Sequence, residues 1–304
     1  MAFPDLSLAP MEAKLVASLP EGAGWRFEPK WDGFRCLAFS RRGAVSLQSK
    51  SGKPLGRYFP EVVAAIEAIG ADVVVDGELI IPVGATLSFE ALQMRLHPAE
   101  SRIRKLAAET PARLMLFDCL WTDAEGALLD RPLAERRAAL ESFAAAYSAP
   151  MLRLSPFTER RVTAEAWLAG TGGALDGVIA KRADEPYRPG ERAMRKIKRM
   201  RTADCVVGGF RYASGKREVG SLLLGLHDDA GLLHHVGFTS GIAVAERPAL
   251  TRRLEALIEP PGFTGDAPGG PSRWSNERTG EWQPLKTELV AEVRYDHVTG
   301  DRFR

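Results

Sequence analysis

Hydrophobic and polar positions change period several times along the chain, and each change marks an element. Residues 34–39 (FRCLAF) and 44–48 (AVSLQ) are short apolar runs parted by Arg42-Gly43, the pattern of a hairpin. Behind Pro60, the stretch FPEVVAAIEAI carries apolar residues at helical spacing, so a helix is expected over Tyr58–Ile69. DVVVDGELII from Asp72 and ARLMLFDCLW (112–121) read as buried strands. Helical patterns fall around Ser88–Leu96, around the basic Arg102–Lys105, and over Pro132–Tyr147, which opens on a proline and is rich in Ala, Leu, Glu and Arg. A strand pair, ALDGVIAKR (174–182) and AMRKIKR (193–199), flanks the turn-rich DEPYRPGER.

From Thr202 onward the pattern differs. Short strand candidates (CVVGGFRY, SLLLGLHD, LLHHVGFTS), one helix over Pro248–Ile258, a Pro/Gly-rich loop over Glu259–Pro271 and a late strand, ELVAEVRY, follow one another. Short strands with glycine turns and a single helix suggest a small β-barrel. The expected architecture is therefore α+β: residues 1–201 form a domain of antiparallel sheets with flanking helices, and residues 202–304 a small barrel.

Length and composition agree with two folded domains. The 304 residues are 45% hydrophobic and 26% charged, the usage of a chain that buries real cores. Forty-one Lys and Arg against 39 Asp and Glu leave a net charge of +2, which excludes a uniformly basic nucleic-acid coat. MAFPDLSLAPMEAKLV lacks the basic flank and apolar run of a signal peptide, and no stretch is apolar enough to span a membrane, so a soluble cytoplasmic protein with no membrane partner is expected. Cys36, Cys119 and Cys205 are odd in number, far apart and set in apolar runs, which argues against disulfides and against a cysteine-based zinc site.

Candidate chemistry begins at EPKWDGFR, residues 28–35. Lys30 there is placed just before a strand, with Asp32 two residues on, and a lysine so placed can act as a nucleophile. Alone, the segment reads equally well as a solvent-facing turn. Further segments follow in order: Ser49-Lys50-Ser51-Gly52, Asp76-Gly77-Glu78-Leu79, Leu116-Phe117-Asp118, Asp176-Gly177-Val178-Ile179-Ala180-Lys181 and Lys196-Ile197-Lys198.

In that order the segments resemble the motif series K-x-D-G-x-R, S-R-x-G, D-G-E, F-D, E-G-x-x-x-K and K-x-K of the covalent nucleotidyltransferases, specifically the bacterial ATP-dependent DNA ligases of the ligase C and ligase D type. SLAPMEAKLV and KRADEPYRPGERAMRKIKR also look like ligase C. The resemblance implies a nucleotidyltransferase (adenylation) domain over 1–201 and an OB-fold barrel over 202–304. It implies an enzyme that joins 5′-phosphate and 3′-hydroxyl ends at nicks in duplex DNA through a covalent lysyl-AMP and a DNA-adenylate. ATP would be the donor, AMP would sit on Lys30, and Mg2+, with Mn2+ as an alternative, would be required. DNA-repair proteins are implied as further partners, and a monomer is expected.

Residue roles follow from the same resemblance. Lys30, Asp32, Lys196 and Lys198 are the implied catalytic residues. Glu28 would meet the adenine edge, Phe117 would stack on adenine, Arg35 would reach the ribose, and Lys50, Glu78 and Ile179 would complete the nucleotide site. Glu78 and Asp176 would hold the metal. The residue types suit the chemistry. A free lysine with a pKa near about 10.4 is neutral in only about one part in a thousand at physiological pH, so its nucleophilic form costs about 4 kcal/mol. The charges of Lys196 and Lys198, alternating on a strand with Ile197 facing the core, would oppose the ammonium form and stabilise departing pyrophosphate.

The chain departs from the series in three places. Position 50 is Lys rather than Arg, a point charge in place of a fork. The fourth motif opens on Asp176 rather than Glu, one methylene shorter. A last basic motif with an R-x-D-K-like core is not found before Asp301-Arg302-Phe303-Arg304, from which slow self-adenylylation but retained sealing of pre-adenylylated DNA is expected. RAMRKIKRMR (192–201) and barrel residues Arg211, Lys216, Arg217, Arg252 and Arg253 suggest a phosphate-tracking groove. Two decoys are set aside. Gly209–Lys216 lacks P-loop spacing, and adjacent His234 and His235 point to opposite faces of a strand. The alternatives are an RNA ligase or capping-type nucleotidyltransferase, and a DNA-binding module without catalysis.

Overall fold

Period-two alternation builds the two sheets that frame the first part of the chain. In the computed structural model, which describes residues 3–84, 86–147, 149–170, 175–269, 281–295, 298–299 and 302–303, the chain divides into two units, Met1–Arg199 and Met200–Arg304. The end of the expected Glu259–Pro271 loop, and Asp301 and Arg304 of the chain's last segment, lie outside the described residues.

The strands of the first unit are β1 (Ala13–Leu15), β2 (Trp25–Trp31), β3 (Phe34–Arg41), β4 (Ala44–Ser49), β5 (Val73–Ile80), β6 (Pro82–Val83), β7 (Thr86–Leu87), β8 (Arg113–Thr122), β9 (Gly126–Ala127), β10 (Leu152–Leu154), β11 (Leu175–Arg182) and β12 (Met194–Ile197). Its helices are α1 (Pro60–Ile69), α2 (Phe89–Arg95), α3 (Glu100–Glu109), α4 (Leu133–Ala146) and α5 (Arg161–Ala169). One sheet runs β1-β12-β11-β2 and a larger one runs β10-β8-β5-β3-β4 with β9 beside β8. The helix starts follow local chemistry. Pro60 opens α1, where a missing N–H costs nothing, and the Ser88 hydroxyl accepts from the Ala91 amide at 3.1 Å to cap α2.

The smaller sheet has one apolar and one polar face, whereas the larger buries apolar residues on both. On the smaller sheet Phe27, Val178, Ala180 and Ile197 point one way and pack with Ala164 of α5. On the larger, Cys36, Ala38, Val73, Val75, Leu79 and Leu114 bury against α1, α2 and α4. Burial of side chains this size stabilises by roughly 1.5–3 kcal/mol each, which fixes register, because a one-residue slip would turn the set outward. Leu37, Phe39, Val74, Leu120, Tyr187, Met11 and Met194 form a further cluster drawn from both sheets. The three cysteines are buried and unpaired. Arg102–Lys105 lie in α3, where Arg104 pairs with Glu100 at 2.5 Å and Lys105 with Glu109 at 3.8 Å, so this basic stretch is a neutralised, solvated helix face.

The second unit holds β13 (Arg201–Tyr212), β14 (Val219–His227), β15 (Leu233–Thr239), α6 (Arg247–Glu255), β16 (Gln283–Pro284) and β17 (Val290–Tyr295). Its sheet runs β15-β14-β13-β16, with β17 also on β13, and α6 contributes Leu254 to a core of Val207, Phe210, Val219 and Leu285. The strands pair antiparallel, and among the described residues the ladder does not close into a barrel.

One local expectation is extended. Lys30 does stand ahead of the expected strand, β3, but it also lies within β2, whose EPKW sequence carries a proline and charges in place of an apolar run. Pairing with β11 makes it a strand, and its alternate residues Phe27 and Pro29 supply the buried side.

Candidate active site

The polar face of the smaller sheet is set by cross-strand register. Ile179 of β11 lies between Glu28 of β2 and Lys196 of β12, and Gly177 lies opposite Lys30, so these residues share one side of the sheet. Between Leu175 and Gly177 the register shifts, leaving Asp176 as the extra residue of a bulge. The bulge aims the carboxylate at cations: Asp176 Oδ2 is 2.5 Å from Lys30 Nζ and 3.0 Å from Lys198 Nζ. Gly177 has φ of 144°, and a Cβ there would lie 2.1 Å from the Ile197 carbonyl oxygen, so only glycine fits.

The larger sheet repeats the device. Arg35 of β3 is paired with Glu78 of β5, and the β5–β8 register shifts between Asp76 and Gly77 so that Phe117 is the extra residue. A Cβ on Gly77 would lie 2.7 Å from the Met115 carbonyl oxygen, and one on Gly33 would lie 2.1 Å from that of Leu79. The Asp-Gly pairs of three motifs therefore share a cause: backbone passes too close for any side chain.

Behind the site, charges are paired. Arg35 donates from Nε and Nη2 to the two oxygens of buried Asp76 at 2.6 and 2.5 Å and also reaches the Met11 carbonyl at 3.1 Å. The Tyr187 hydroxyl donates to Asp76 at 2.6 Å and accepts from the Met11 amide at 2.8 Å. Lys181 and Glu28, both buried, pair at 2.8 Å, and burial pushes the Glu28 carboxyl up against the pull of Lys181. Arg35 and Lys181 lie 4.6 and 4.7 Å from the centroid of the Phe117 ring, close enough for cation–π attraction. Burial also pushes Glu78 up to about 7, although Arg35 and Lys30 oppose it. Lys196 is pushed down by burial and by the like charges of Lys198, Lys30 and Lys50.

The sheets enclose a cavity of about 380 Å³. Glu28, Lys30, Arg35, Lys50, Glu78, Phe117, Ile179 and Lys196 all line it. Asp176 joins through its pairing with Lys30, and Lys198 through its pairing with Asp176, whereas Asp32 does not line the cavity and acts from the β2–β3 turn as a like charge raising Glu78. Asp76, Lys181 and Tyr187 were not singled out from sequence, although Asp76 and Lys181 stand inside quoted motifs. Among the described residues no group of three or more His, Cys, Asp or Glu is arranged to hold a metal ion.

A lysine set among cations and paired with a bulge carboxylate, at a cavity walled by two antiparallel sheets, is an arrangement suited to holding an anionic ligand beside an amine. The family model for the ATP dependent DNA ligase domain matches residues 10–198, and that for the ATP dependent DNA ligase C terminal region matches residues 215–304. The chain belongs to the ATP-dependent DNA ligases, of the bacterial ligase C and ligase D type. It is 44% identical over 314 residues to DNA ligase C2 of Mycolicibacterium smegmatis, covering 98% of this chain and 88% of that protein. DNA ligase C of Mycobacterium tuberculosis is 42% identical, with 98% and 87% covered. A solved structure of mycobacterial DNA ligase D complexed with ATP and MES is 32% identical, with a TM-score of 0.58 and coverage of 99% of this chain and 94% of that one.

Proposed function

We propose that Lys30 is the residue through which this ATP-dependent DNA ligase carries AMP, and that the sheet-walled cavity seats the nucleotide. The observation that carries the assignment is the position of Lys30 Nζ: at the cavity, 2.5 Å from Asp176 and flanked by Lys196 and Lys198. Asp176 orients the amine, while Lys196 and Lys198 meet the negative charge of the α-phosphate. The amine forms a P–N bond, the bond to pyrophosphate breaks, and AMP then passes to a 5′-phosphate at a nick, where a 3′-hydroxyl displaces it.

Glu28 and Phe117 fit the adenine end, and Arg35, held by Asp76, fits the ribose. Lys50 stands with the phosphates, Ile179 lines the floor, and Asp32 tunes Glu78. Glu78 and Asp176 offer the carboxylate oxygens that Mg2+ or Mn2+ takes, with the rest of its shell coming from water and substrate phosphates. Such an ion would neutralise phosphate charge.

Nicked duplex DNA is the proposed partner, tracked by Arg192, Arg195 and Arg199 of the first unit and by Arg201, Arg211, Lys216, Arg217, Arg252 and Arg253 of the second. A monomer acting at the bacterial nucleoid with DNA-repair proteins completes the reading, supported by the likeness to ligase C and ligase D. No helix of the described residues is long and apolar enough to cross a membrane.

Incubation with ATP labelled on the α-phosphate tests the central claim. The wild-type chain should acquire label on the protein from ATP and not from GTP, and Lys30→Ala should acquire none and seal no nicks. Sealing by Lys30→Ala would overturn the assignment.

A further inference from the structure

The cavity's cations outnumber its anions in a way the adenylate alone does not use. Lys30 and Lys198 meet Asp176, whose charge also reaches Lys196, while Lys50 and Arg192, which line the same cavity, meet Glu12. Glu12 Oε2 is 3.0 Å from Lys50 Nζ and 3.7 Å from Arg192 Nε, and the Lys50 hydrogen bond holds the carboxyl below its ordinary range. The Glu12 backbone is pinned on both sides: its amide donates to the Glu191 carbonyl at 2.7 Å and its carbonyl accepts from the Met194 amide at 3.1 Å. Its partners are freer, with the Lys50 and Arg192 side chains 60% and 75% exposed.

We propose that Glu12 is an internal carboxylate that competes with the phosphates beyond the α-position for Lys50 and Arg192, and so favours release of pyrophosphate. An incoming polyphosphate can draw the exposed Lys50 and Arg192 side chains toward it, but the Glu12 backbone, held at its amide and its carbonyl, keeps the carboxylate in the same part of the cavity as a like charge to the phosphates. Bound pyrophosphate is therefore held less tightly than the cation cluster alone would hold it. The reverse reaction, in which a pyrophosphate oxygen attacks phosphorus and the P–N bond to Lys30 breaks to give ATP and the free amine, is disfavoured accordingly. AMP, seated at Phe117 and Glu28, does not feel this competition.

The inference rests on the cavity being the ATP site, and direct binding separates the two questions. Inorganic pyrophosphate and AMP are titrated separately into the wild-type chain, Glu12→Gln, and Glu159→Gln, which removes an exposed carboxylate paired with Arg26 at 3.1 Å in the same unit. Glu12→Gln should bind pyrophosphate about two- to fivefold more tightly at low salt, the range of an exposed ion pair, with the gain shrinking as salt rises and AMP unchanged. Glu159→Gln should match wild type. Unchanged or weaker pyrophosphate binding in Glu12→Gln would overturn the proposal, because a carboxylate that merely positions Lys50 would be missed rather than relieved. Equal tightening of AMP would overturn it too. A third arm compares nicked duplexes with and without the 5′-phosphate: tightening confined to the phosphorylated nick would assign the cluster to DNA and sink the pyrophosphate claim. A wild-type chain that binds neither AMP nor ATP would fail the underlying site reading instead.

Discussion

The two walls of the cavity carry similar numbers of charges to opposite ends. On the larger sheet, Arg35 is locked by both oxygens of Asp76, which Tyr187 also satisfies, and Arg136 is locked by Asp118 at 2.7 Å in full burial. On the smaller sheet one Asp176 oxygen serves both Lys30 and Lys198, and Lys196 is lowered by its neighbours' charge. The Arg35–Asp76 pair of the larger wall is complete before anything binds, whereas around Lys30, Lys196 and Lys198 the smaller wall is short of anions. Scaffolding needs the first state, because an unpaired buried charge is costly. Phosphate chemistry needs the second, because the missing negative charge is what substrate brings.

The largest effect is expected where the incomplete wall depends on backbone shape. Gly177→Ala would place a Cβ 2.1 Å from the Ile197 carbonyl oxygen at a φ of 144°. Strain of that kind and the enforced separation of β11 from β12 should cost about 3–5 kcal/mol and abolish sealing, because Asp176, Lys196 and Lys198 would lose their common geometry. Denaturant unfolding gives the stability and a nick assay the activity. A near-wild-type Gly177→Ala would show that the bulge does not set this wall.

A smaller effect tests the complete wall. Tyr187→Phe removes the donor to Asp76 and the acceptor of the Met11 amide while leaving the ring in its core. The loss should be about 1–2 kcal/mol of stability. If Tyr187 positions Arg35 through Asp76, the KM for ATP should rise several-fold with kcat for sealing pre-adenylylated DNA unchanged. A fall in both would mean that the two walls are not separable.

Sequence pattern reached much of this arrangement and missed specific parts for physical reasons. The hairpin of β3 and β4, α1, β5, β8 and α4 were legible because their apolar spacing is strong. The strand holding Lys30 was not, since its polar face is the site itself and half of the alternation signal is therefore charged. Motif order placed Lys30, Lys196 and Lys198 near one another, yet no spacing rule shows that Asp176 and Phe117 are bulge residues. Bulges appear only when a partner strand is present to count against. Asp76 stands in the run DVVVDGELII, expected as a buried strand, but nothing in that run shows that its carboxylate is held by Arg35 and by Tyr187, the latter 111 residues away.

The smallest effect falls on Glu78, the carboxylate of the complete wall for which no ion pair matches that of Asp76. Burial holds it up at about 7 against an ordinary 4.5, so the folded protein keeps a proton there that the unfolded chain has released. A raised pKa gives stability that is complete below the unfolded value and is lost as pH rises through the folded one. Wild type should therefore match Glu78→Gln in stability near pH 4.5 and fall behind it, with a lower Tm, above pH 7. Melting both proteins across this range without nucleotide reads the gap directly. A gap independent of pH would mean that Glu78 is solvated like the residues of the incomplete wall, and the contrast between the walls would end at Asp76.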